Sequence, residues 1–160
     1  LKGGSSVAVL HVMVGLPCAG KTTEAKRLEK ECGALRLTPD EWQIRLFGQD
    51  AQDPAHDLRH DTIEKIMWDV AARTLSLGVD VILDFGLWAR EEREDFRRRA
   101  HALGAGFRMH YMEASEEELL RRLASRNANT PPGSFVIEES EMRKYMEIFQ
   151  PPKEDELLWE

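Results

Sequence analysis

The sequence predicts an α/β fold: a three-layer sandwich with a parallel sheet of four or five strands, helices on both faces and a small helical lid. Three observations lead there. Strand-like and helix-like segments alternate along the whole chain. Gly15-Leu16-Pro17-Cys18-Ala19-Gly20-Lys21-Thr22 reads G-x-x-x-x-G-K-[ST] and joins the first strand to the first helix. The 160 residues suit a single domain, and 42% of them are hydrophobic, enough to bury a core.

Residues 1–6 read as a cloning scar or disordered start, leaving 7–160 as one domain. The apolar, β-branched run 7–14 is a buried strand, and a helix over 20–32 follows the glycine motif, ended by Gly33 where positive φ is wanted. Residues 34–37 form a short second strand. Thr38-Pro39-Asp40-Glu41 then looks like a helix start, with Thr38 as cap, Pro39 in the first turn and Glu41 as capping-box partner. After a turn at 48–54, a long helix over 57–77 places Leu58, Ile63, Ile66, Met67, Val70 and Leu75 at helical spacing. The third strand is 79–84, followed by a helix over 90–103 and a fourth strand over 106–112. Ser115 and Glu118 frame a second capping box, opening a helix to Arg126. A loop over 127–134 lies in a lid at about 122–140, and a last helix spans 138–148. Pro151-Pro152 stops that helix, and the acidic tail is expected to pack only through Leu157, Leu158 and Trp159.

The glycine motif is the phosphate-binding P-loop. Gly15 and Gly20 let the backbone curl so that successive N–H groups point at phosphate oxygens, and the following helix adds its positive end. Pro17, Cys18, Ala19 and Thr23 complete the nucleotide-binding segment. Lys21 reaches the β- and γ-phosphates, and the Thr22 hydroxyl is placed to ligate Mg²⁺.

In an open parallel sheet, ligands bind at the carboxyl ends of the strands. Asp40 follows the second strand and is the candidate general base for an attacking hydroxyl. Asp84 closes the third strand in the Walker-B arrangement and is a second candidate for Mg²⁺, directly or through water. Arg93, Arg122 and Arg126 are candidates to neutralise a transferring phosphoryl group; Arg122 and Arg126 share one helix face. Arg45, Trp88 and Arg90 are candidates for an acceptor pocket beside Asp40.

Composition excludes other classes. No apolar run approaches a membrane span and no secretory signal precedes the first strand, so a cytoplasmic setting without membrane contact is expected. Cys18 and Cys32 are too few for a disulfide framework, and the five histidines show no metal-ligand spacing, so no zinc site is expected. The net charge of −7 argues against a nucleic-acid partner. The oligomeric state is not readable.

Four segments in this order resemble the small P-loop kinases often classed with AAA-family ATPases, related to polynucleotide kinase, chloramphenicol phosphotransferase and zeta toxin. They are the P-loop, Thr38-Pro39-Asp40-Glu41-Trp42, the stretch from Val81 to Arg93, and Leu120-Arg121-Arg122-Leu123-Ala124-Ser125-Arg126-Asn127. The resemblance spans roughly 7–155. It implies a P-loop NTPase sandwich and an ATP-dependent phosphotransferase that moves the γ-phosphate, with Mg²⁺, to a hydroxyl of a small-molecule acceptor. It also implies Asp40 as base and Arg122 and Arg126 as lid arginines. A fifth strand, common after the lid in this group, is not evident. Two alternatives stay open: a polynucleotide 5′-hydroxyl kinase, and a nucleotide-dependent switch or weak NTPase acting through a partner.

Overall fold

The computed structural model describes residues 7–159; the expected scar or disordered start at 1–6 lies outside them. In chain order the elements are β1 (Val9–Val14), α1 (Lys21–Cys32), β2 (Leu35–Leu37), α2 (Pro39–Phe47), α3 (His56–Ser76) and β3 (Val81–Gly86). Then come α4 (Arg90–Ala102), β4 (Gly106–Tyr111), α5 (Glu116–Ala128), α6 (Glu139–Ile148) and the short α7 (Glu154–Leu157). The described residues form one sheet of four strands in the order β2-β3-β1-β4, every pair parallel. Each parallel pair needs a crossover, and the helices supply it.

Strand alternation sorts the two faces. Leu10, Val12 and Val14 of β1 pack with Leu37, Val81 and Leu83 against Ile63, Met67, Ala71 and Leu75 of α3, with Ala100 of α4 in the same cluster. Met13 and Ile82 point to the opposite face, against Ala25 and Leu28 of α1. A third cluster joins Leu16 and Ala19 of the P-loop to Leu119 of α5, with Tyr145, Met146 and Phe149 packed on it. The three-layer expectation therefore holds.

Several boundaries differ from expectation, each for a local reason. β3 starts two residues later, because Val79 N–H donates to Thr74 O and Asp80 Oδ1 accepts from Val9 N–H at 2.8 Å. It runs on through Gly86, which pairs with Val14, so Asp84 sits within the strand rather than at its end. On α3 the buried stripe is Ile63, Met67, Ala71 and Leu75, whereas Leu58, Ile66 and Val70 are exposed. The tail is anchored by Glu156, 1% exposed, and by Trp159, whose ring faces Arg90 and Arg97; Leu157 and Leu158 point to water. No helix among the described residues is long and apolar enough to cross a membrane.

Candidate functional site

The P-loop closes the gap between β1 and α1. Gly15, at φ +152°, donates its N–H to Gly86 O at 3.0 Å, which ties the loop's first residue to the end of β3. A Cβ at Gly15 would lie 2.9 Å from Met112 O, so a side chain does not fit there. Cys18 adopts φ +67°, the left-handed region that side chains rarely occupy. Lys21 opens α1 and donates to Leu16 O at 2.8 Å, folding back over the loop. Burial pulls its ammonium below the ordinary lysine range, Asp84 and Asp40 hold it up, and Arg126 pushes it down. Thr23 is exposed on the outer side of the first turn.

A chain of hydrogen bonds runs from the P-loop to β2. Thr22 Oγ1 donates to Asp84 Oδ2 at 2.7 Å, and Thr38 Oγ1 donates to the same oxygen at 3.1 Å. Arg36 donates to Thr38 Oγ1 at 2.6 Å and to Glu41 Oε1 at 3.1 Å. This explains why the expected capping box at Thr38 and Glu41 does not form: both side chains are committed elsewhere, and Thr38 makes no cap hydrogen bond. At Ser115 half of the expected box forms: its hydroxyl accepts from Glu118 N–H, while the Glu118 carboxylate is held by Arg121 and Arg122.

The second oxygen of Asp84, Oδ1, is buried and has no hydrogen-bond partner among the described residues. It stands beside a threonine hydroxyl whose proton is already given away, leaving oxygen lone pairs. Two hard oxygen donors at the mouth of a phosphate loop fit Mg²⁺, which binds through one or two protein oxygens plus phosphate and water.

Asp40 lies in the first turn of α2, its side chain 49% exposed and 3.9 Å from His60 Nδ1. Crowding by the surrounding protein raises its pKa above the ordinary aspartate value; His60, Lys21 and Arg126 pull it down and Asp84 pushes it up. Asp84 and Arg126 therefore both act on Asp40 and on Lys21, which also act on each other. Burial alone would lower the His60 pKa, but Glu64, with a 3.0 Å contact, and then Asp40 and Asp57 outweigh it and raise it.

Arg122 and Arg126 both reach inward from α5. Arg122 donates to Cys18 O in the P-loop at 3.2 Å and to Glu118 at 2.7 Å. Arg126 donates to Phe135 O at 3.0 Å, and its buried Nε has no partner among the described residues. The segment after α5 turns back over α2 and α3. Phe135 is buried and meets the His56 ring edge-on at 5.0 Å, and Gln49 donates to Ser134 O at 2.9 Å.

Two expected site residues, Arg93 and Arg90, are committed to the tail. Arg93 is fully buried, donating from Nε to Glu156 Oε1 at 2.7 Å and from a terminal nitrogen to Leu87 O at 3.0 Å. Arg90 is turned to the tail, paired with Asp155 at 2.6 Å and Glu94 at 2.9 Å. Trp88 commits its indole N–H to Gly15 O at 3.2 Å and packs on Tyr145, with ring centroids 4.9 Å apart. Arg45 is exposed and makes no ion pair among the described residues.

The sequence reading missed several neighbours. His60 and Tyr145 both sense the Asp40 charge. Asp50 is 7% exposed beneath α2. Burial would raise its pKa, but hydrogen bonds from His56, Gln43 and Arg59 hold it down to about 2. No periodicity marks these residues; the only cue was the spacing of His56 and His60.

A family model described as "AAA domain" matches residues 10–152, most of the chain. No curated protein sequence matches at a significant level. Among solved structures, a candidate kinase from Chloroflexus aurantiacus superposes with a TM-score of 0.72 at 18% identity, covering 92% of this chain and 83% of that one. A chain of the Pnkp1/Rnl/Hen1 RNA repair complex gives 0.71 at 21% identity, covering 91% of this chain and 45% of that one. A gluconokinase from Sinorhizobium meliloti 1021 gives 0.61 at 17% identity, covering 94% and 80%. At these identities the likeness establishes the fold.

Proposed function

This chain belongs to the AAA-domain family, and on that premise we propose that it is an ATP-dependent phosphotransferase acting on a hydroxyl of a small-molecule acceptor. The observation that carries the reading is Asp40. A carboxylate of raised pKa lies within electrostatic reach of Lys21, Asp84 and Arg126. A switch that only binds nucleotide has no use for a base there.

The P-loop N–H groups and Lys21 hold the β- and γ-phosphates. Phosphate beside Lys21 favours its ammonium form, against the burial that lowers its pKa. Thr22 and Asp84 would hold Mg²⁺, which when bound neutralises developing phosphate charge. Asp40 orients the acceptor hydroxyl and takes its proton as attack proceeds in line. Arg122 and Arg126 place positive charge where the transferring group is most negative, and residues 122–140 form a lid that excludes water. Arg93 and Arg90 are assigned to anchoring the tail.

The test is a screen of nucleosides, sugars, aminoglycosides and short oligonucleotides for ATP-dependent phosphorylation, run on the native chain and on Asp40→Asn. Transfer to a small molecule that falls by about 10²–10⁴ in Asp40→Asn, with nucleotide binding intact, supports the reading. Unchanged transfer by that variant would sink the base assignment. A second reading, polynucleotide 5′-hydroxyl kinase, draws on the RNA-repair neighbour. It requires the oligonucleotide arm to be phosphorylated with a KM that climbs steeply with salt. The net charge of −7 supports the small-molecule reading.

A further inference from the structure

We propose that His11, Cys32 and Asp80 form a Zn²⁺-binding site at the amino-terminal edge of the sheet, at the end of α1 opposite the phosphate loop. The three residues are far apart in sequence and come from β1, the last position of α1 and the residue just before β3. One donor atom of each lies within 4.8 Å of the others, and His11 Nε2 stands 3.7 Å from Asp80 Oδ2. Ligand atoms around tetrahedral zinc are roughly 3.3–3.7 Å apart, given bonds of about 2.0–2.3 Å. Small side-chain rotations therefore close the triangle.

The decisive atom is His11 Nε2. His11 is 3% exposed, and Nε2 has no hydrogen-bond partner among the described residues. Buried polar atoms are rarely left this way without an unseen partner. The far side of the ring is occupied: His11 Nδ1 lies 2.9 Å from His110 Nε2, so one proton sits between the two rings. With that proton on Nδ1, Nε2 presents a bare lone pair toward Asp80 and Cys32. With the proton on His110 instead, His11 carries its own proton on Nε2 and turns it toward Asp80 Oδ2, 3.7 Å away and beyond hydrogen-bond length. The first arrangement is how ligating histidines are held, their second nitrogen donating to a neighbour.

The remaining groups agree. Asp80 Oδ1 accepts from Val9 N–H at 2.8 Å, which fixes the carboxylate and leaves Oδ2 toward the cluster. Cys32 is exposed, which leaves a path from solvent. It ends α1, where unpaired carbonyls favour a cation. One imidazole, one thiolate and one carboxylate neutralise a divalent charge and select zinc over magnesium. Three protein ligands leave a fourth position for water. Binding breaks the Cys32 S–H bond, releases that proton to solvent and forms a bond from sulfur to the metal. This site is independent of the phosphotransfer reading.

The test titrates the metal-free chain with Co²⁺ in reducing buffer and excess Mg²⁺, which keeps hard oxygen donors occupied. Zn²⁺ affinity is then read by displacement. The native chain and Cys18→Ser should develop a near-ultraviolet thiolate-to-cobalt band that zinc abolishes. Cys32→Ser, at an exposed position that leaves the far-ultraviolet spectrum unchanged, should lose the band and weaken Zn²⁺ by more than about tenfold. His110→Phe, which removes only the orienting acceptor, should weaken it by about 10–100-fold with the band retained. No band in the native chain, or equal Zn²⁺ affinity in Cys32→Ser, overturns the proposal.

Discussion

The Thr22 hydroxyl donates to Asp84 Oδ2 at 2.7 Å, joining the first turn of α1 to the interior of β3. The bond consumes one Asp84 oxygen and leaves the other buried and unpartnered. Asp84→Asn replaces a carboxylate by an amide and leaves packing nearly unchanged. It should weaken the Mg²⁺ dependence of nucleotide binding and lower turnover by about 10²-fold or more. Mg²⁺ titrations of nucleotide affinity and turnover check this.

The acid limb of the rate profile should lie above the ordinary aspartate range. Asp40 must be ionised to accept a proton, and crowding raises its pKa. The positive charge of His60 acts in the other direction, so His60→Gln should move the limb to higher pH. The sign also bears on stability. A carboxylate with a raised folded-state pKa holds its proton more tightly when folded, so ionising it costs the fold as pH rises through that window. Asp40→Asn should therefore leave the neutral-pH melting temperature unchanged or higher while transfer fails. Rate profiles and melting curves on both variants decide it.

Arg126 offers a separable test of the lid. One edge of its guanidinium holds Phe135 O at 3.0 Å, while Nε waits without a partner. Arg126→Ala should cut turnover by about 10²–10³ with a small change in nucleotide affinity. Comparison of single-turnover transfer with equilibrium nucleotide binding separates the two.

Arg93 and Glu156 form an ion pair with both side chains withdrawn from water, 0% and 1% exposed. Removing one partner strands a buried charge. Arg93→Met or Glu156→Leu alone should cost about 3–5 kcal/mol, and the double substitution should recover most of that. Chemical denaturation of the three variants measures the coupling.

The contrast between Lys21 and Arg93 shows what local sequence encodes. Lys21 was legible because its chemistry is written in eight consecutive residues whose backbone makes the loop. The strand before it and the helix after it were legible for the same reason. Arg93 was read as a phosphate ligand because it follows β3 at a plausible distance. Its true partner, Glu156, lies 63 positions away in a tail that reads as solvated acid. Thr38 was read as a helix cap for its local spacing, yet its hydroxyl serves Asp84, 46 positions on. The β3 bounds shifted because a turn and an edge carboxylate claimed its first two residues. Asp40 and Asp84 were legible because they lie toward the carboxyl side of neighbouring parallel strands, Asp40 just past β2 and Asp84 inside β3; His60 and Tyr145, which arrive from other helices, were not.

Trp88 has a consequence for observing the protein at work. Its indole is bonded to the carbonyl of the first P-loop residue and lies against the Tyr145 ring. Fluorescence from that indole depends on the polarity and mobility of this one spot. Replacing Trp42, Trp68 and Trp159 with phenylalanine would leave a chain whose sole tryptophan, excited selectively beyond the tyrosine band, touches the phosphate cradle. Its colour and lifetime would then register occupancy of the cradle in real time, without a dye.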